Sequence, residues 1–241
     1  MELKPVRTGD ESLGRTVPYE PVQEAALEIQ GQRVLRNTYL LLALTMVPTV
    51  IGALVGMATA SIIVSAPIIS SLVFLAAVIG LQFGIAAYRN SGVGIALLLL
   101  MTGVVGWWLG PILNYALELR NGMQLVGYAA VGTGAIFLGM AGIATTTKRD
   151  FGFLGKFLFV GMWAVVFAMV ANLFFQIPAL ALTLSTLAII VFSLFLVYDL
   201  NRIVRGGETN YVMATTGVYL SRMNIFVNLL NILLSLMGER D

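Results

Sequence analysis

Ionisable groups are scarce in this 241-residue chain, and Asp199 stands where an acid is costly. It lies in Val197-Tyr198-Asp199-Leu200-Asn201, at the end of a long apolar stretch, whereas the other acids fall in the N-terminal region, at stretch ends or in loops. A carboxylate at that depth must be paired or put to use. Arg202 follows three positions on, and Arg89 ends an earlier apolar stretch on the same side. Two readings stay open: an ion pair that pins helix ends, or a protonation-sensitive latch, since burial and a nearby cation act on a carboxylate's proton in opposite senses. A second pattern runs through 212–237. Gly217, Ser221, Asn224, Asn228, Asn231 and Ser235 follow one another at steps of three and four, so they share one face of a helix. That face must look at other helices, as a structural seam, or at a hydrophilic vestibule. Arg222 lies about 100° off it, near mid-span, and needs a carboxylate, a carbonyl or water.

The residue types also exclude chemistry. Without Cys or His there is no thiolate nucleophile, disulfide, ordinary zinc site or Ser-His machinery. One intramembrane carboxylate cannot make an aspartyl-protease pair. The chain reads as no enzyme, with no catalytic residues, no metal site and no cofactor. A net charge of +2 gives no reason to expect nucleic acid.

The elements that hold these residues follow from composition. Hydrophobic residues make up 59% and charged ones 11%, against roughly 25% charged in an ordinary soluble domain, so the solvent for most of the chain is lipid. A helix crosses the hydrocarbon in about 20 residues. Runs of that kind occupy 37–57, 66–88, 93–116, 125–146, 153–175, 178–199 and 212–237, the last being the least apolar. The expected architecture is all-α, a seven-transmembrane-helix bundle with the polar-striped last helix central. Pro48 should kink the first span, and Gly110-Pro111 should interrupt the third. Small residues in the fourth (Ala130 and Gly134, Ala135 and Gly139) allow close helix contact there. Trp107 and Trp108 suit interface anchoring or packing. Eleven basic residues fall before span one or in the even-numbered loops, against Arg120 and Arg240 on the other side. By the positive-inside rule the N-terminus is cytoplasmic and the C-terminus lies outside. Residues 1–36 carry five basic and six acidic groups and three prolines. They read as a cytoplasmic tail, polar and disordered over 1–19 with a short interfacial helix over 20–36, ahead of a transmembrane domain at 37–241.

Three local runs carry a resemblance. Val34-Leu35-Arg36-Asn37-Thr38-Tyr39 opens span one, and Gly110-Pro111-Ile112-Leu113-Asn114 closes span three. Gly206-Gly207-Glu208-Thr209-Asn210-Tyr211 precedes span seven, followed by Val218-Tyr219-Leu220 and Asn224-Ile225-Phe226. From about Val34 to the C-terminus the chain resembles the Bax inhibitor-1 family, and more narrowly its YccA branch in Gram-negative bacteria. The resemblance implies a seven-helix fold with the last helix central, in the inner membrane. In some members it implies a pH-sensitive leak for calcium or another cation, built on two paired aspartates. The first matches Asp199; the second position holds Ser221 here, and a carboxylate with a hydroxyl cannot share a proton as two carboxylates do. The YccA branch implies instead a modulator and substrate of the membrane-anchored AAA protease FtsH and its associated membrane complex, with the N-terminal tail as the segment the protease grips.

Overall fold

The computed structural model describes residues 19–147 and 151–238, with side chains from residue 29 onward. The predicted polar tail up to residue 18, Lys148, Arg149 and residues 239–241 lie outside the described residues. Among the described residues every regular element is a helix: α1 (Tyr19–Ala58), α2 (Ala60–Ser65), α3 (Pro67–Ala87), α4 (Gly92–Trp108), α5 (Gly110–Leu117), α6 (Gly122–Thr146), α7 (Leu154–Phe175), α8 (Pro178–Val204) and α9 (Tyr211–Met237). Seven segments are long and apolar enough to cross a membrane, and they match the seven predicted stretches, the least apolar one included.

Local chemistry sets the boundaries. Pro67 and Pro178 occupy the first turns of α3 and α8, where a missing N–H costs nothing. Pro111 does the same for α5, so the third span is built from α4 and α5 joined at Leu109, as the Gly-Pro pair predicts. Pro48 is accommodated within α1 without ending it. The α7 helix stops at Gln176, which takes the left-handed conformation (φ 52°). The Asn172 carbonyl and side-chain oxygen then accept from the Gln176 and Ile177 N–H groups.

The first span differs from expectation. Residues 20–36 form no separate interfacial helix; α1 runs without a break from Tyr19 to Ala58, through the position taken as the start of the transmembrane domain. The reason is packing. Val34 is buried, and the α-carbon of Gly31 lies so close to the end of α8 that a methyl group there would stand 3.2 and 3.1 Å from the carbonyl oxygens of Ile203 and Val204.

The tightest helix crossing joins α1 to α4 and α5. Gly52 sits on the Gly103 carbonyl, Gly56 on Trp107, Gly106 on the Thr49 carbonyl and Gly110 on Gly56 itself. These are two Gly-xxx-Gly pairs facing each other, Gly52 with Gly56 and Gly106 with Gly110, and they let the backbones touch. The small residues of α6 singled out from sequence do no such work. Added side-chain carbons at Gly134 and Gly139 would meet nothing within 4 Å, and Ala130 and Ala135 are exposed. They face away from the bundle. The tryptophans are packing residues: Trp108 stacks on Phe74 with ring centroids 4.5 Å apart, and the Trp107 indole N–H donates to Thr59 Oγ1 at 2.8 Å.

The α9 helix packs on α8, α6 and α1 and touches α3 and α4. Its buried residues include Tyr219, Ile225 and Leu230, all fully enclosed. Large apolar side chains such as Phe83, Val131, Leu138 and Phe157 project outward at 70% exposure or more, as lipid-facing residues do.

Gly106→Ala should therefore force α1 and α4 apart and lower stability by at least about 2 kcal/mol, since the obstacle is backbone. Gly139→Ala meets no obstacle and should be neutral or stabilising by roughly 0.5 kcal/mol through helix propensity. Thermal unfolding of both variants in one detergent distinguishes the two faces; equal midpoints would mean that the α1–α4 seam is slack.

Candidate functional site

The loop between α8 and α9 is held by its own sequence. Gly206 adopts φ 73°, a left-handed conformation that ends α8, and the N–H groups of Gly207 and Glu208 donate back to the Arg202 carbonyl. Asn210 then starts α9: its side-chain oxygen accepts from the N–H groups of Val212 and Met213. Its amide donates across the bundle to the Arg89 carbonyl (3.0 Å) and to Asn90 Oδ1 (2.8 Å), in the turn between α3 and α4. One asparagine thus caps a helix and staples two connections together. Glu208 accepts from the Asn210 N–H and takes Arg202 in an ion pair at 3.6 Å, while Arg202 Nε donates to the Gly207 carbonyl.

This arrangement redistributes the sequence-predicted partners. Arg202 is engaged by Glu208 and the loop backbone, and Arg89 enters the network through its carbonyl, with its side chain exposed. Among the described residues neither arginine stands within 4 Å of the Asp199 carboxylate. The neighbour of Asp199 is instead the α9 backbone. A methyl group on Gly217 would lie 2.8 Å from Asp199 Oδ2, so the carboxylate rests in the notch that this glycine leaves. The i+3 spacing of Arg202 suggested pairing, but the left-handed turn at Gly206 brings Glu208 back over Arg202 first. Ser221, buried, lies one turn beyond Gly217 on the same face.

Below the notch the stripe of α9 behaves differently from its expected role. Asn224 Nδ2 donates to the Leu220 carbonyl and Asn228 Nδ2 to the Asn224 carbonyl, at 2.9 and 2.8 Å. Both amides are satisfied by their own helix, four residues back, without reaching a neighbour. Asn228 is buried, Asn224 and Asn231 half-buried and Ser235 exposed, so the stripe runs from the interior to the surface. The polar contacts that α9 makes with α1 come from residues outside the stripe. Tyr219 is fully buried; its hydroxyl shares a 2.9 Å hydrogen bond with Thr49 of α1 and lies 3.2 Å from the Thr102 carbonyl of α4. One turn on, Arg222 Nη2 donates to Met46 Sδ of α1 at 2.6 Å.

At the α8 end a cavity of ≈ 260 Å³ is lined by Gly152, Tyr198, Asn201, Arg202, Arg205 and Gly207. Its wall is fixed by Asn201, which accepts from the Phe151 N–H and donates to the Ala144 carbonyl, tying α8 to the α6–α7 connection.

Residues 31–239 match the family described as inhibitor of apoptosis-promoting Bax1. The chain belongs to the Bax inhibitor-1 family. The protein named modulator of FtsH protease YccA in Escherichia coli K12 is 39% identical over 205 residues, covering 85% of this chain and 91% of that one. An uncharacterized membrane protein of Vibrio cholerae is 39% identical over 213 residues, 88% and 93% of the two chains. An uncharacterized protein of Neisseria meningitidis serogroup A is 39% identical over 215 residues, 88% and 94%. The Gly-Gly-Glu-Thr-Asn-Tyr run that carried the resemblance to Bax inhibitor-1 proteins is the staple just described, which gives that motif a mechanical reason.

If the carboxylate fills the Gly217 notch, Gly217→Ala should destabilise the protein by about 1–2 kcal/mol in the native chain and by clearly less in an Asp199→Ala background. The double-mutant cycle, read by chemical or thermal unfolding, should show coupling of at least about 0.5 kcal/mol. Additive effects would separate the two residues.

Proposed function

We propose that this Bax inhibitor-1 protein modulates, and is itself a substrate of, a membrane-anchored FtsH-type protease with its associated membrane complex. The observation that carries this reading is the relative in Escherichia coli K12 named modulator of FtsH protease, aligned along 85% of this chain and 91% of that one. Physical features support it. Gly31 packs α1 on the end of α8, and the α1–α4 seam is backbone on backbone, so the bundle offers stiff resistance to extraction. Residues 1–18 are polar and hold Pro5 and Pro18, the composition that a pulling protease can engage. A grippable leader joined to a resistant bundle occupies the protease and slows its other work. No catalytic role enters this reading.

A second reading, a leak path for calcium or another cation, draws on Asp199 beside α9. It has less support: calcium prefers six to eight oxygen ligands, one carboxylate supplies at most two, and Arg222 places a positive charge further along the same helix.

Removing residues 2–18, which leaves α1 and the topology-setting Arg33 and Arg36 intact, should lengthen the protein's lifetime severalfold in cells with active protease and change nothing in cells without it. Pulse-chase measures both. A truncated chain that disappears as fast as the full one would remove the tail from the mechanism and strengthen the leak reading.

The same proposal sets the protein in a bacterial inner membrane, N-terminus cytoplasmic and C-terminus periplasmic, on the eleven-to-two split of basic residues. A reporter fused after Asp241 that is active only in the periplasm should light up. A cytoplasmic signal there would invert the arrangement and put the tail out of the protease's reach.

A further inference from the structure

Arg222 is the twelfth of the 27 residues of α9, about 16 Å along the helix from its start and about 22 Å from its end. A guanidinium carries five donors and a fixed charge. Its recorded acceptor is the Met46 thioether, a weak one that carries no charge. The neighbouring Tyr219 hydroxyl is already engaged by Thr49 and the Thr102 carbonyl. The acids whose side chains are described are elsewhere: Asp199 in the Gly217 notch, Glu208 on Arg202, and Glu118 exposed just past α5. Every other acid lies before residue 29, at Asp150 between α6 and α7, or at the C-terminus, none of them at mid-span by sequence. Among the described residues no carboxylate comes within 4 Å of the Arg222 guanidinium.

The guanidinium is only half-buried, and Met46 leads outward from it. Met46 shares an α1 face with Val47 and Val50, whose side chains are more than half exposed. An unbalanced cation at the margin of a lipid-facing surface is costly and marks function by default. Lipid headgroups stop far short of it, and a dissolved anion would have to shed its water to arrive. A carboxylate carried on another transmembrane helix comes to this depth already inserted.

We propose that Arg222, with the adjoining α1 face, is the docking point for a partner transmembrane helix bearing a carboxylate at mid-span. The carboxylate accepts from the guanidinium, displacing the thioether, and Val47 and Val50 pack on the partner's apolar surface. This goes beyond protease modulation and stands whether or not that reading holds.

The probe is a synthetic leucine-rich transmembrane helix with one central Glu, and the same helix with Gln. The full-length protein, labelled with a donor fluorophore and reconstituted in phosphatidylcholine vesicles, is titrated with each acceptor-labelled helix. The Glu helix should associate at least tenfold more tightly than the Gln helix. Arg222→Lys should retain the preference and Arg222→Met abolish it. Equal association of the Glu and Gln helices with the native protein overturns the proposal, and this comparison stands even if Arg222→Met fails to fold. So does undiminished Glu-helix binding to a folded Arg222→Met variant, which would place the contact elsewhere.

Discussion

Inside the hydrocarbon no water is available to complete a hydrogen bond, and the bundle's polar side chains are disposed accordingly. Most turn to their own helix first. Thr45, Thr49, Thr133, Thr215, Thr216, Asn224 and Asn228 all donate to a carbonyl three or four residues back. A polar group satisfied in this way demands less of a neighbour, although Thr49 also bonds Tyr219 and Thr215 also donates to the Thr38 carbonyl of α1. The close seam of α1 with α4 and α5 can then be set by glycine, where backbone meets backbone and dispersion replaces polar adhesion. Tyr219 is among the side chains that reach across instead. Its hydroxyl sits too far from its own backbone to bond back, so it reaches α1 and α4 and locks α9 against that seam.

The membrane fold was legible because length and hydropathy act on whole segments; all seven spans follow from them. What could not be read was which face of each helix meets another. The α6 glycines and the α1 and α4 glycines look alike in composition, yet only the second set is matched across two helices. Gly52 with Gly56 and Gly106 with Gly110 carry the four-residue spacing on both partners, and that pairing was the available signal. Asn210 was also accessible, since an asparagine directly ahead of an apolar helical run is a preferred cap. Its reach to Arg89 and Asn90, 120 residues away, was not. The same holds for Tyr219 and Thr49, which are 170 residues apart.

Asp199 shows how a local rule yields to a longer-range one. Spacing along α8 favours Arg202 as its partner. The loop that follows must reverse the chain within a few residues, and Gly206 makes that reversal by a left-handed turn. The turn returns Glu208 over the end of α8, where it meets Arg202. The carboxylate of Asp199 is left facing α9, and Gly217 is the residue type that admits it. Sequence spacing describes a helix in isolation; the pairing is decided by what the next loop brings back.

Asp199 rests against α9 and Arg222 belongs to it, and among the described residues the two are not in an ion pair with each other. Gly217, which touches the acid, and Arg222 are separated by five residues of α9, about 7.5 Å of rise and more than a full turn of rotation. Keeping them apart gives α9 two distinct polar positions, one turned to α8 near the stapled end and one turned to α1 at mid-depth. Motion of α9 relative to α8 would disturb the first, and a partner arriving beside α1 would engage the second.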